Sequence, residues 1–231
     1  MNGKNKRNWW QNLKRIFLWL FILQFFYILI LRWVNPPFTI TQLVSLVNGN
    51  GLKRDYVSYN SINSAAKLAI MAGEDQLFPD HNGFDVKAIK KAVKYNEKHP
   101  TKVRGASTIS QQVAKNVFLW QGGGFFRKGL EVYFTFMIET FWGKKRILQM
   151  YLNVAEMGKG IFGIQAAAIQ YFNKDAVSLN RNEAAQIAAA LPNPIRFTVK
   201  PLSNYVAARA GNIMRQMNNL ETDPDIKLLI K

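Results

Sequence analysis

The hydrophobic pattern opens with a long apolar run near the start of the chain. No charged side chain occurs between Ile16 and Leu31, and the run reaches 19 residues if it is extended past Arg32 to Val34. A helix of that length spans ~28 Å at ~1.5 Å per residue, close to the ~30 Å hydrocarbon core of a bilayer. A cleaved signal peptide would have a shorter run and a small-residue cleavage site, which this sequence lacks. The pattern therefore predicts a transmembrane helix over residues 16–34.

The residues before this run carry positive charge only. Five basic side chains and no acid precede the predicted span: Lys4, Lys6, Arg7, Lys14 and Arg15. The positive-inside rule keeps such a flank in the cytoplasm. We therefore expect residues 1–15 to be a basic cytoplasmic tail, and the part of the chain after the span to lie on the opposite, outer side of the membrane.

Beyond the predicted span, a turn-rich segment leads into a helical pattern. Pro36-Pro37 and the cluster Asn48–Gly51 predict a connector over residues 35–60. Apolar residues then recur three or four positions apart around residues 62–70, 86–93, 109–117, 147–152 and 206–220. Asn182-Glu183 before an alanine-rich run predicts a helix start, and Phe197–Val199 is at most a short extended piece. We predict one all-α domain over residues 61–231.

Composition limits the chemistry. The chain has no cysteine, which excludes disulfides, a cysteine nucleophile and a cysteine-ligated zinc site, and its two histidines argue against a multi-histidine metal centre. The 31 Lys and Arg residues against 14 Asp and Glu give a net charge of +17. Such a surplus indicates an anionic partner, which is nucleic acid, lipid head groups or a phosphorylated substrate. Because the predicted topology removes most of the chain from the cytoplasm, we expect no nucleic acid.

Two adjacent acids, Glu74 and Asp75, end one helical stretch just before a loop rich in Pro, Asn and Gly. A carboxylate at the end of a packed helix beside Phe78 is partly desolvated, which raises its pKa and suits it to general acid–base catalysis. Two surface acids at a helix C-terminus would give the same sequence, although the helix dipole disfavours them there. Both interpretations remain open on the residues alone.

The segment Arg104–Asn116 combines glycine, hydroxyl and amide side chains. Ser107-Thr108 before an apolar-periodic run is a good helix N-cap. A helix N-terminus with hydroxyls and nearby cations is also a good site for an anion. The segment is therefore either a cap or a contact for phosphate or sugar.

A third cluster follows three glycines at 122–124. Phe125 and Phe126 come next and then Arg127 and Lys128, which can bind phosphate oxygens. Glu131 lies one turn beyond Arg127, so the two can also form a simple intrahelical ion pair. The apolar residues that continue to Trp142 are either a membrane-facing patch or a core helix.

Together these segments resemble the ordered signature motifs of the peptidoglycan glycosyltransferases. The matching segments are Glu-Asp-x-x-Phe-x-x-His-x-Gly at 74–83, Gly-x-Ser-Thr-Ile-x-Gln-Gln at 105–112, Arg-Lys-x-x-Glu at 127–131, Lys-x-x-Ile-Leu-x-x-Tyr-Leu-Asn at 144–153, and a looser fifth motif at Arg209–Met214. Five ordered motifs are far more specific than any one of them. Two departures are Gln149, where the family often has an acid, and Ile213-Met214, which replaces Val-Leu.

The resemblance implies a lysozyme-like helical fold in a monofunctional, membrane-anchored form of the family. It also implies polymerisation of lipid II into β-1,4 glycan strands, with inversion and with release of undecaprenyl pyrophosphate, in bacterial cell wall synthesis and cell shape. Glu74 is then the expected general base. Glu131 is expected to organise the pyrophosphate site through the adjoining cations or through a divalent cation, Mg²⁺ or Mn²⁺, and no organic cofactor is expected.

The same resemblance assigns roles to further residues. Residues expected to bind sugar or pyrophosphate are Ser107, Thr108, Gln111, Gln112, Lys115, Asn116, Arg127 and Lys128. Supporting residues are Asp75, Lys144, Tyr151, Asn153 and Glu156. Residues expected to contact the membrane are Leu119, Trp120, Phe125 and Phe126. The expected partners are lipid II, the growing glycan chain, membrane lipids and proteins of cell-wall synthesis or division.

Two other hypotheses compete with the glycosyltransferase hypothesis. A lysozyme-like lytic enzyme would share Glu74 as a catalytic acid but would not need the cations at 127 and 128. A non-catalytic basic membrane protein would need neither. Ser64 and Lys67 match the Ser-x-x-Lys nucleophile motif of penicillin-binding domains, but no Lys-Thr-Gly or Lys-Ser-Gly follows. We therefore expect no transpeptidase domain and interpret both as ordinary helix residues.

Overall fold

The computed structural model describes residues 3–101 and 103–231, with side chains from Trp9 onward. The side chains of Lys4, Lys6 and Arg7, in the predicted cytoplasmic tail, are therefore not among those described. The chain divides into two compact units, Met1–Pro36 and Pro37–Lys231.

The first unit is a single helix, α1, which runs from Gly3 to Ile30. Its segment Trp9–Ile30 has 22 residues and a mean hydropathy of 1.9, long and apolar enough to cross a membrane. The predicted apolar helix is confirmed, but its predicted end at residue 34 is wrong because residues 31–34 form turns. The reason is local, since Pro36-Pro37 follows closely and the residue before a proline is disfavoured in helical conformation.

Within the described residues, the second unit contains ten α-helices and three short strands. The helices are α2 (Ile40–Val47), α3 (Ser64–Glu74), α4 (Val86–Lys98), α5 (Ile109–Phe118), α6 (Phe125–Phe141), α7 (Lys144–Val154), α8 (Ile164–Phe172), α9 (Arg181–Ala190), α10 (Asn204–Leu220) and α11 (Pro224–Ile230). The strands are β1 (Lys53–Arg54), β2 (Glu156–Gly158) and β3 (Ile161–Phe162). The predicted predominantly helical class is confirmed.

Side-chain caps fix where several helices begin. Thr108 and Gln111 form a reciprocal capping box at the start of α5, each accepting a hydrogen bond from the backbone N–H of the other. Asn180 and Glu183 form another at the start of α9. The helix start predicted at residue 182 is therefore correct to within two residues. The apolar periodicity that begins at residue 109 coincides with the first residue of α5.

Two groups of helices build the core. In one group α3 packs against α9 and α10, and in the other α5 packs against α6 and α7. The alanine-rich α9 lets α3 approach closely: a Cβ atom on Gly73 would lie 3.3 Å from Ile213 Cδ1 and 3.6 Å from Ala188 Cβ. This close packing places α10 directly beside the C-terminal end of α3.

The lysine-rich helix α4 departs from expectation in one respect. The predicted stripe of Val86, Ile89 and Val93 does form a helix, but Val86 is 57% exposed and Val93 is 51% exposed. The amphipathic pattern therefore predicts the helix correctly, although its apolar face is not part of the core.

The predicted connector over residues 35–60 is largely ordered structure. It contains α2 and β1, and β1 pairs in parallel with β3, which pairs antiparallel with β2. The Asn153 side chain holds this segment in place, because it accepts from the Val57 N–H at 2.8 Å and donates to the Val57 carbonyl at 3.1 Å. Strands of two or three residues are too short to show a period of two in the sequence. The segment Phe197–Val199, suggested as an extended piece, is irregular, with a bend at Phe197 and a turn that includes Val199.

Candidate active site

Glu74 is the last residue of α3 and faces the start of α5. Its Oε2 accepts a hydrogen bond from Gln112 Nε2 at 2.7 Å, and its Oε1 lies 4.0 Å from Arg209 Nη2. Arg209 itself is held by the Gly73 carbonyl, to which Nη2 donates at 3.0 Å. The carboxylate is thus partly buried between three elements, α3, α5 and α10.

Burial raises the pKa of the Glu74 carboxyl above its usual value, and the charge of Asp75 raises it further. The hydrogen bond from Gln112 and the positive charges of Arg209 and Lys115 oppose this shift. A carboxylate with a raised pKa is a stronger base than an exposed one, which suits it to take a proton from a hydroxyl group.

Gln112 is oriented by a second residue. Tyr151 is fully buried, and its hydroxyl donates to Gln112 Oε1 at 3.2 Å. The amide nitrogen of Gln112 is thereby directed at the carboxylate of Glu74. Gln112 is thus a hydrogen-bond partner of the candidate base, and its predicted role in binding sugar or pyrophosphate stays a prediction. Tyr151 is a positioning residue.

Asp75, the cap of α3, joins the base to the neighbouring helix. Its carboxylate accepts from the backbone N–H of Ile109 at 2.9 Å and from His81 Nε2 at 3.0 Å. Because the Gly83 N–H donates to His81 Nδ1 at 3.1 Å, the ring proton of His81 lies on Nε2. These bonds fix the start of α5 against the end of α3.

The glycine that ends the first motif is required by its surroundings. Gly83 has φ +87°, and a Cβ atom there would lie 2.7 Å from Thr135 Cγ2. Its carbonyl accepts from Thr108 Oγ1 at 2.7 Å. Only glycine allows this loop to lie so close to both α5 and α6.

A second polar cluster lies around Glu139 of α6. Lys144 Nζ donates to Glu139 Oε1 at 2.7 Å and also to the His81 carbonyl, and Ser110 Oγ donates to the same carboxylate. Lys144 therefore holds the loop that carries His81 against α6. This cluster fixes α6 and α7 against α5.

The third motif forms a compact cationic group on α6. The carboxylate of Glu131 is buried and accepts from Arg127 Nη1 at 2.7 Å and from Lys128 Nζ. Arg127 Nε is buried and finds no hydrogen-bond partner among the residues that the structure describes. The intrahelical pair expected from the spacing is present, and it leaves one arginine N–H donor for another group.

Helix α5 lies against both the base and the helix that carries this cationic group. Its Gln112 donates to Glu74, and α5 packs against α6, which carries Glu131. Burial lowers the pKa of the Lys115 ammonium group on α5, and the charges of Glu131 and Glu74 oppose this shift, whereas those of Arg127 and Lys128 add to it.

A divalent cation does not fit this arrangement at Glu131. Its two carboxylate oxygens already face Arg127 and Lys128, and Lys115 adds a third positive charge. A metal ion there would have to displace a cation and would be repelled by the others. Among the residues described, no group of three or more His, Asp or Glu side chains could hold a metal ion. The carboxylate instead holds cations in place.

The remaining predicted ligands are divided between surface and interior. Ser107 is exposed and lines a cavity of about 360 Å³ that also contains Glu74 and Asp75. Thr108 and Gln111 are buried in the capping box of α5, and buried Asn116 accepts from Gln121. Their hydrogen bonds lie within the protein.

Some predicted supporting residues serve the framework. Asn153 secures residue 57, and Glu156 begins β2, where its carboxylate accepts from the Gly160 N–H at 3.1 Å. Ser64 is exposed at the start of α3, and the Lys67 ammonium donates to the carbonyl of Ile230 at 3.3 Å in α11. The Ser-x-x-Lys pair is therefore made of helix residues, as expected.

The apolar residues in the α5–α6 loop and at the start of α6 differ in exposure. Phe125 is 98% exposed, and Phe126 and Trp120 are also exposed. Leu119 is only 2% exposed, which corrects its predicted place on the membrane-contacting surface. Its position directly before Trp120 in the chain gave no signal of this difference, because both residues are apolar.

Helix α2 is amphipathic with the usual faces reversed. Its buried residues are polar (Thr41, Gln42 and Ser45), and its exposed residues are apolar (Ile40, Leu43, Val44, Leu46 and Val47). Gln42 is 0% exposed whereas Val47 is 85% exposed. The helix packs on α5, and Gln121 donates to Thr41 at 3.3 Å beside the exposed Trp120.

Three residues of the site had no role in the sequence interpretation. His81 and Arg209 stand inside motifs, but only the fold shows that one binds Asp75 and the other faces Glu74. Glu139 belongs to no motif, and nothing in its sequence context identifies it. Motif membership was the available signal for the first two.

The geometry defines a class of reaction. A partly buried carboxylate with a raised pKa can deprotonate a hydroxyl, and the cations on the packed helices α5 and α6 can stabilise an anionic leaving group. A hydroxyl that displaces an anionic group from a sugar carbon is the reaction of a glycosyltransferase. The family model described as "Transglycosylase" matches residues 41–218. The chain belongs to this transglycosylase family and is a glycosyltransferase.

Curated relatives agree over most of the chain. The chain is 50% identical over 216 residues to the biosynthetic peptidoglycan transglycosylase of Pseudomonas putida strain GB-1, which covers 91% of each chain. It is 55% identical over 170 residues to the proteins of the same name from Shigella boydii serotype 4 and Escherichia coli O139:H28, covering 74% of this chain and 70% of each relative.

Proposed function

We propose that this chain polymerises lipid II into the glycan strands of peptidoglycan in bacterial cell wall synthesis. The substrate is a disaccharide-peptide on an undecaprenyl pyrophosphate, and the growing lipid-linked chain is the donor. Family membership and the names of the relatives support peptidoglycan strands as the product. The cationic group supports a diphosphate as the leaving group.

In the proposed reaction the 4-hydroxyl of an incoming lipid II attacks the anomeric carbon of the growing chain. The new C–O bond forms as the bond from that carbon to the pyrophosphate oxygen breaks, and an α linkage becomes β-1,4. Glu74 takes the proton of this hydroxyl. In an inverting glycosidase the base acts in the corresponding way on a water molecule. The electron pair of the broken bond leaves on undecaprenyl pyrophosphate, beside Lys115, Arg127 and Lys128.

The observation that carries this proposal is the position of helix α5. Its Gln112 donates to Glu74, the base, and the helix packs against α6, where Glu131 holds Arg127 and Lys128. An enzyme that only hydrolyses finished glycan has no diphosphate to neutralise. A cationic group coupled to the base is therefore better explained by a lipid-diphosphate donor.

Purified lipid II and finished peptidoglycan, each incubated with the full chain, separate synthesis from lysis. We expect glycan strands to grow from lipid II and finished strands to keep their length. Shortening of finished strands without growth would support the lytic alternative and contradict the proposal. No activity on either substrate would favour a non-catalytic membrane protein.

The hydrogen bond from Gln112 gives a testable pH effect. Removing it in Gln112→Met withdraws a group that stabilises the charged carboxylate, so the pKa of Glu74 should rise further. The base must be unprotonated to act, so the acid limb of the kcat/KM profile on lipid II should move to higher pH. Tyr151→Phe should move it in the same direction by a smaller amount.

Tyr171→Phe is the matched control for the hydroxyl deletion, since its hydroxyl donates to the Met157 carbonyl at 3.0 Å instead. Its profile should coincide with that of the unchanged chain. An acid limb that stays in place in Gln112→Met, with only KM raised, would instead make Gln112 a sugar contact.

For the location, we propose a single-pass inner-membrane protein with its N-terminus in the cytoplasm. The apolar segment Trp9–Ile30 and the basic flank support this topology. The reversed faces of α2 support contact with the membrane interface, because an exposed apolar helix face in water is otherwise costly. Nine residues, 31–39, lie between the end of α1 and Ile40, a reach of at most ~35 Å.

Removal of residues 1–36 tests how much the second unit binds lipid by itself. We expect the remaining compact unit to keep its fold, to retain weak binding to vesicles of anionic phospholipid, and to use long-chain lipid II less efficiently. Leu43→Gln with Val47→Gln on α2 should reduce that residual binding several-fold. The control Leu228→Gln changes an exposed leucine of α11 and should have no effect. Equal binding by all three variants would remove α2 from the lipid contact.

A further inference from the structure

A polar cleft lies directly behind the candidate base, on the side of α10. Its volume is about 500 Å³, and it is lined by residues of α3 and α10 and by Gln76. Six of its nine lining residues are polar: Gln76, Arg209, Asn212, Arg215, Gln216 and Asn219. The candidate site described above uses only Arg209 among them.

The cleft is cationic and rich in amide groups. Arg209 and Arg215 contribute two positive charges, and no acid is among its lining residues. Arg209 Nε is buried and has no hydrogen-bond partner in the part of the chain that the structure describes. Buried donors of this kind are costly unless a bound group accepts from them.

Arg209 makes the cleft continuous with the site of reaction. One of its terminal nitrogens, Nη2, donates to the Gly73 carbonyl and lies 4.0 Å from Glu74 Oε1, and the same residue lines the cleft. A substrate whose hydroxyl reaches Glu74 can therefore extend a second part of itself into the cleft.

We propose that this cleft binds the peptide portion of the substrate through a free carboxylate and backbone amides. This inference rests on the proposed function, because it takes lipid II as the substrate. Arginine binds carboxylates bidentately, and Asn and Gln side chains match the donors and acceptors of a peptide backbone. The diphosphate has its own cations on α5 and α6, and an uncharged sugar would not require two arginines.

Arg215→Gln isolates the cleft from the base, because Arg215 is exposed and contacts Asn212 rather than Glu74. Full-length protein is assayed on lipid II with its complete peptide and on lipid II whose peptide ends in an amide. We expect Arg215→Gln to raise KM about tenfold on the carboxylate substrate and to leave KM on the amidated substrate unchanged. Arg215→Glu should raise KM on the carboxylate substrate further.

The matched control is Arg181→Gln, which changes an exposed arginine of α9 that pairs with Glu221 at 3.0 Å outside the cleft. Both substrates should behave with this control as they do with the unchanged chain. Equal effects of Arg215→Gln on the two substrates, or no effect on either, would overturn the peptide site. In those cases the unchanged chain still polymerises lipid II. Failure of the proposed function would instead appear as no glycan from either substrate with the unchanged chain, which overturns the peptide site as well.

Discussion

Glu74→Gln is expected to abolish glycan polymerisation, with a loss of rate of ~10³-fold or more, while the fold is retained. The amide can still accept the hydrogen bond from Gln112, so the contacts of the side chain are kept. What it loses is the ability to take a proton. The measurement is the initial rate of glycan formation from lipid II, together with the melting temperature of each variant.

Glu97→Gln is the control for this substitution, because Glu97 is an exposed acid on α4. It should retain the full rate. A Glu74→Gln variant that polymerises at a rate near that of the unchanged chain would show that another group acts as the base. In the unchanged chain, the rate should fall as the pH is lowered and Glu74 becomes protonated. Because the pKa of Glu74 is raised, this fall should begin at a higher pH than it would if an exposed glutamate were the base.

Glu131→Ala is expected to cause the second largest loss, about 10²-fold or more in kcat. The buried carboxylate holds Arg127 and Lys128, so its removal leaves two neighbouring cations without their partner and moves them apart. The diphosphate leaving group would then be poorly stabilised. Glu131→Gln keeps the size of the side chain and should lose nearly as much.

Chelation distinguishes the two roles suggested for Glu131. If it acts by holding cations, a chelator should change the rates of the variant and the unchanged chain by the same factor. Glu221→Gln breaks an exposed ion pair with Arg181 and should keep the full rate. Undiminished turnover in Glu131→Ala, with the same response to metal ions, would exclude Glu131 from the site.

The sequence was most informative where chemistry depends on local spacing. The positions of Glu74 at a helix end and of Arg127 and Glu131 one turn apart could be predicted, because helix geometry alone relates such residues. That helix α5 contacts both Glu74 and the helix of Glu131 could not be predicted, since α3, α5 and α6 meet only through tertiary packing. The same holds for Arg209, which comes from α10.

The sequence was least informative where one pattern serves two purposes. Ser107, Thr108 and Gln111 fit both a helix cap and a ligand site, and the structure uses the last two in the cap. Helix α2 was assigned to a connector because eight residues between turn signals give a weak period, and because its polar face points inward. Its burial pattern contradicts the usual expectation that apolar residues face the core.

Product analysis of the reaction with purified lipid II tests the proposed catalysis most directly. The full chain should release one undecaprenyl pyrophosphate for each disaccharide added, and each new linkage should be β-1,4. Growth with that stoichiometry and linkage is the result expected for an inverting displacement of a lipid diphosphate. Release of free disaccharide, or retention of the α configuration in the new linkage, would contradict it.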